Sequence, residues 1–112
     1  MISVTRQDRL VIAMGIETLL ESVRQSEMWW EACGDSEACA RIRRLLGAIH
    51  RTRRKFVRED EISAQIASAL FVADGLREAA RHCSEGQAAL HARLTGGAEA
   101  IEWLCRSWQL GR

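Results

Sequence analysis

The chain has 112 residues, with sixteen basic and fifteen acidic side chains for a net charge of +1, and neither proline nor tyrosine. That length fits one domain, which buries roughly two-thirds of the surface its unfolded form exposes, so a core forms without staples. Low-complexity tracts, repeats and apolar runs of the ~20 residues a membrane span needs are all missing, so nothing reads as a linker, a low-complexity segment or a membrane-spanning helix.

Hydrophobic spacing predicts four amphipathic helices. The first starts at Thr5, whose hydroxyl can cap while Asp8 sits in the first turn, and runs to about residue 32. Ile12, Ile16, Leu19, Leu20, Val23 and Trp30 fall on one side of it, and Gly34-Asp35 ends it. Asp35 or Ser36 caps the second helix, in which Ile42, Leu45, Leu46, Ile49 and Phe56 form the expected buried stripe. Near its end, cations from Arg51 to Arg58 give way to Glu59-Asp60-Glu61. Helix dipoles favour cations at a C-terminus and acids at an N-terminus, so a break is expected over 57–60, with one continuous helix as the rival.

The third helix, about 61–83, is expected to bury Ile62, Ile66, Ala69, Leu70, Ala73, Leu76 and Ala80. Its first half is apolar almost all round, as in a central helix or one covered by a second molecule. Ser84-Glu85-Gly86 makes the next turn. In the fourth helix Leu90, Leu94, Gly97, Ile101, Leu104 and Trp108 stay in phase through Gly96-Gly97, so one helix is expected there, kinked or split as the alternative. Short connections between helices of this length imply an all-α, antiparallel four-helix bundle.

Charge is the strongest asymmetry. Residues 38–58 hold eight basic side chains and no acid, whereas the rest of the chain holds eight basic and fifteen acidic ones. Arg41, Arg44, Arg51, Arg54, Lys55 and Arg58, with Arg43 at the edge, lie opposite the apolar stripe of the second helix, and only Arg53 lies near it. Such a face suits nucleic-acid phosphates or an acidic protein. Alternatively it is a solvated face paired within the molecule, since Glu17, Glu21, Glu27 and Glu31 of the first helix can oppose it. Fifteen of the sixteen cations are arginine, which a GC-rich coding genome explains as well as phosphate binding does.

Aromatics supply the second asymmetry. Trp30, Phe56 and Trp108 lie on the apolar faces, whereas Trp29, Phe71 and Trp103 project elsewhere, and Met14 and Met28 also leave the stripe of the first helix. Large apolar side chains off the core are expected to mark a protein interface, here a homodimer or a partner surface, with the alternative that helix ends and wider helix faces tuck them into the bundle.

Signals for chemistry are weak. Alternating helices bring Cys33, Cys39 and Cys83 to one end with His82 and His91, a candidate metal set, but the Cys33-to-Cys39 spacing exceeds the usual zinc spacing. A local Cys33–Cys39 bridge is the other option, and plain thiols in a reducing compartment are preferred to both. Glu78 and His82 share the polar side of the third helix, which argues against a di-metal site. Neither a glycine-flanked nucleophilic serine nor a phosphate-binding glycine loop occurs, and no cofactor or small-molecule substrate is implied. The amino terminus lacks the layout of a secretory signal, so a cytoplasmic protein is expected.

The sequence therefore points to a non-catalytic binding, adaptor or regulatory protein, oligomeric or part of a larger assembly. The first alternative is a nucleic-acid-backbone binder, a small subunit or regulator of the kind bacteria, phages and plasmids encode. The second is a structural metal-binding bundle.

Overall fold

A computed structural model of the protein describes residues 4–58 and 62–110. Among them are four α-helices, α1 (Arg6–Cys33), α2 (Ser36–Arg58), α3 (Ile62–Arg81) and α4 (Ala88–Leu110), with a 3-10 turn at Glu85–Gln87 and no strand. The protein is all-α, as the periodicity requires.

Local chemistry sets the helix ends. The Thr5 hydroxyl accepts from the Asp8 backbone N–H at 3.1 Å, and the Thr5 N–H donates to Asp8 Oδ2 at 3.1 Å, closing a capping box. Gly34 ends α1 at φ 75°, a left-handed conformation that costs glycine nothing, and its N–H donates to Glu31 O. Of the two candidate caps for α2, Asp35 acts: its Oδ1 accepts from the Ala38 N–H at 3.0 Å, and Ser36 is already helical. The expected break over 57–60 does not begin at Val57, because α2 continues through Arg58; residues 59–61, with the acidic start of the third helix, lie outside the described residues.

Contacts between helices give their directions. Along α1 and α4 the matched pairs are Asp8 with Trp108, Gly15 with Ile101, and Glu21 with Arg93, so the numbers fall in one helix as they rise in the other. Arg43 reaches Glu27 and Glu31 while Arg53 reaches Glu17, which makes α1 and α2 antiparallel as well. Both α1 and α3 touch all three other helices, but among the described residues no contact joins α2 and α4. The section is therefore a flattened rhombus with α1 and α3 on its short diagonal, consistent with overall extents of 51 × 27 × 17 Å.

Ile12, Ile16, Leu19 and Leu20 of α1, Ile49 of α2, Val72 and Leu76 of α3, and Leu94 and Ile101 of α4 form the fully buried centre. Two helix crossings are close: a Cβ added at Gly15 would stand 2.6 Å from Ile101 Cδ1, and one at Gly75 would stand 2.8 Å from Leu19 Cδ2.

Of the expected stripes, Ile42, Leu46 and Leu90 are only partly buried against the core, the Ile62 side chain lies outside the described residues, and three further residues need correction. Leu45 is exposed because α2 packs against only two helices, which leaves a narrower buried face. Leu70 is exposed because close packing over Ala69, Val72 and Ala73 leaves it at the rim. Trp30 is half-buried, near the end of α1. Although α3 is central in touching every other helix, Ala67, Leu70 and Phe71 in its apolar first half still face outward.

Helix α4 is continuous through Gly96-Gly97 and is not split there. Gly97 is half-buried near Leu76, but a Cβ at Gly96 would meet open space. Gly96→Ala is therefore expected to raise stability by about 1 kcal/mol, the propensity difference in a helix interior, read as an upward shift in the thermal midpoint. A fall would mean that the backbone here is not regular helix.

Candidate interaction surfaces

Two rows with seven-residue spacing build the outer surface shared by α1 and α4. Seven residues make almost two turns, so Met14, Glu21 and Met28 line up along α1, and Arg93, Ala100 and Ser107 along α4. The guanidinium of Arg93 donates to Glu21 Oε2 at 3.0 Å and joins the rows. Farther out on α4, Gly96, Trp103 and Leu110 repeat at the same spacing. Met14 is 63% exposed, Met28 69%, Trp29 59% and Trp103 61%, all unusually open for side chains of this size.

Helix register decides which of these residues meet. The Gly15–Ile101 contact sets Met14 and Trp103 at one height, within about a turn of each other. Met28 and Trp29 stand about 21 Å farther along α1, where the Trp29 and Trp30 rings pack edge to face with centroids 4.5 Å apart. Phe71 is exposed on α3 and belongs to neither group. Sequence reasoning missed Leu10 and Leu110, both exposed; Leu10, four residues before Met14 on the same flank, was the available signal.

The second surface is the outside of α2. Three of the four acids expected to oppose it do so, at the α1/α2 seam: Arg43 pairs with Glu31 at 3.0 Å and Glu27 at 3.5 Å, and Arg53 pairs with Glu17 at 3.1 Å. Glu21 turns instead to α4. Arg43, expected on the free cationic face, thus belongs to the seam, because the antiparallel register brings two α1 carboxylates to it. Arg41 makes a long, exposed pair with Glu37 at 3.8 Å. No carboxylate among the described residues pairs with Arg44, Arg51, Arg54 or Lys55. The Arg58 side chain lies outside the described residues.

Arg6, Gln7, Arg9, Leu10, Ala13 and Ile16 of α1, with Arg53 and Phe56 of α2, line an open cavity of about 710 Å³. The Arg9 guanidinium carbon sits 5.9 Å from the Phe56 ring centroid, within cation–π range. This groove needs side chains from two helices, so no single-helix pattern announces it.

No protein-family model matches the chain, and no curated protein or solved structure is significantly similar to it. No described helix is long and apolar enough to cross a membrane.

Arg77 donates to both Glu102 oxygens through Nε, at 3.1 and 3.0 Å, and fastens α3 to α4. Those hydrogen bonds hold the Glu102 carboxyl below the usual carboxylate range and raise the Arg77 guanidinium. A depressed carboxyl contributes stability that is present above its unfolded pKa and lost as pH falls through the folded value. The gap in thermal midpoint between the wild type and Glu102→Gln should accordingly be widest near neutrality and close in acid, below the ordinary carboxylate range. A gap independent of pH would show that the pair is not what the substitution removes.

All four cysteines are free: Cys33 is exposed, Cys83 half-buried, and Cys39 and Cys105 buried. Burial pushes the Cys105 thiol up to about 11, which makes it a poor nucleophile. Among the described residues no three His, Cys, Asp or Glu side chains gather as metal ligands, so the Cys33, Cys39 and Cys83 set with His82 and His91 is not assembled. Instead, His82 Nε2 lies 3.1 Å from Glu78 Oε1, and this contact, followed by Arg81, lowers the Glu78 carboxyl.

Proposed function

We propose that the chain is a non-catalytic binding protein, an adaptor or regulator that docks a protein partner on the α1/α4 surface. The simplest such partner is a second copy of itself. The observation that carries the reading is that Met14, Met28, Trp29 and Trp103 are each more than half exposed on these two helices. A tryptophan offers about 150–250 Å², so each leaves on the order of 100 Å² still to be buried, worth about 2–3 kcal/mol at 25 cal/mol/Å². Tryptophan is also the residue type most enriched where truncation damages an interface. Four free thiols suit a reducing compartment, and the reading assigns the protein to the cytoplasm.

Light scattering on the eluting protein tests this, alone and as purified from its native host, together with acrylamide quenching of tryptophan fluorescence. A dimer or defined complex in which the exposed tryptophans become shielded is the expected result. A strict monomer from both sources, with fully quenchable tryptophans, contradicts the reading.

A further inference from the structure

The α2 cations that no described carboxylate pairs form a surface independent of the α1/α4 one, because no contact joins the described residues of α2 and α4. Arg41, Arg44, Ala48, Arg51 and Lys55 recur at spacings of 3, 4, 3 and 4, so they share one side of the helix, with Arg54 beside them. At 1.5 Å per residue this side runs about 21 Å from Arg41 to Lys55. All five cations are exposed, and the single long contact from Arg41 to Glu37 is too open to neutralise Arg41.

The composition of this face is selective. Among its described residues Leu45 is the only exposed large apolar side chain, and none is an aromatic or methionine anchor of the kind that crowds α1 and α4. Like charges at i, i+3 and i, i+4 also work against the helix that bears them, and no described carboxylate offsets Arg44, Arg51, Arg54 or Lys55. A protein partner would be expected to offer apolar burial as well as acids. A ligand whose anions repeat regularly along a line matches cations without anchors. One strand of a B-form duplex places a phosphate every 3.4 Å, so about six lie along 21 Å.

We propose that the outer face of α2 binds the sugar-phosphate backbone of a nucleic acid, through charge and without reading bases. Arg44, Arg51, Arg54 and Lys55 supply the contacts, with Arg41 at the margin. Because the net charge of the chain is only +1, attraction depends on this segregated face and not on the protein as a whole.

Fluorescence anisotropy tests the proposal with a labelled 24-base-pair DNA duplex and a labelled 24-nucleotide RNA of mixed sequence. Polyglutamate serves as an acidic-polypeptide probe. Neutralising four or five phosphates predicts that affinity falls roughly fifty- to five-hundredfold between 50 and 200 mM salt. The Arg44→Glu/Arg51→Glu double variant should weaken binding at least tenfold, while Arg24→Glu/Arg106→Glu, on α1 and α4, leaves it within twofold. Circular dichroism reports whether each variant is helical, and Arg44→Gln/Arg51→Gln replaces the first pair if charge reversal unfolds it. Failure to bind either nucleic acid at 50 mM salt, binding indifferent to salt, or equal losses in the α1/α4 control would overturn the proposal. Binding of polyglutamate alone would overturn it too, by assigning the face to an acidic protein.

Discussion

Leu76→Ala is expected to lower the free energy of unfolding by about 2–5 kcal/mol, a large share of the 5–15 kcal/mol typical of a domain. Leu76 is fully buried, and its Cδ1 lies close to Gly15 of α1 and Gly97 of α4, where three helices converge. Neither glycine has a side chain that can relax into the space the leucine would leave, so a cavity persists. Urea titration should show the midpoint falling with an unchanged slope. Leu70→Ala removes the same atoms from the rim of the same helix and should cost less than about 1 kcal/mol. Similar losses at the two positions would refute the packing described for α3.

That pair of leucines also shows how far the sequence could be read. Periodicity identifies the side of a helix that turns inward, and the centres of all four stripes (Ile16, Ile49, Ala73 and Ile101) are buried. It does not say how many neighbours that side meets. Leu45 and Leu70 fall at stripe edges, where exposure depends on whether one helix or two close over them, and for α2 that number followed only from its lack of contact with α4. End signals carried by a few adjacent residues were legible: the Thr5–Asp8 box and the Gly34 stop both lie where composition places them.

The surfaces were legible residue by residue but not as assemblies. Met14, Met28, Trp29, Phe71 and Trp103 are all exposed, as their positions off the stripes require. That Met14 stands level with Trp103 while Phe71 sits elsewhere depends on the Gly15–Ile101 crossing, a long-range contact with no local signature. The division of α2's arginines into paired and unpaired has the same origin. Arg43 and Arg44 are neighbours in sequence, yet a 100° step carries one to the carboxylates of α1 and leaves the other without a described acid.

Three tryptophans separate the stability of the fold from the use of its surface. Trp103→Ala should change the unfolding free energy by no more than about 0.5 kcal/mol, because its ring is mostly in solvent. Trp29→Ala gives up the edge-to-face contact with Trp30 and should cost about 1 kcal/mol. Trp108→Ala should cost about 3–5 kcal/mol, since that side chain is buried and donates from Nε1 to Asp8 Oδ2 at 3.3 Å. Association should rank the first two differently from Trp108. If the α1/α4 surface docks a partner, each exposed tryptophan is worth at least about 2 kcal/mol of binding, a loss of about thirtyfold in affinity on truncation. A Trp103→Ala protein as destabilised as Trp108→Ala would mean that the residue packs within the chain. One as stable as the wild type that also associates equally well would mean that the exposed aromatics do not form the docking surface.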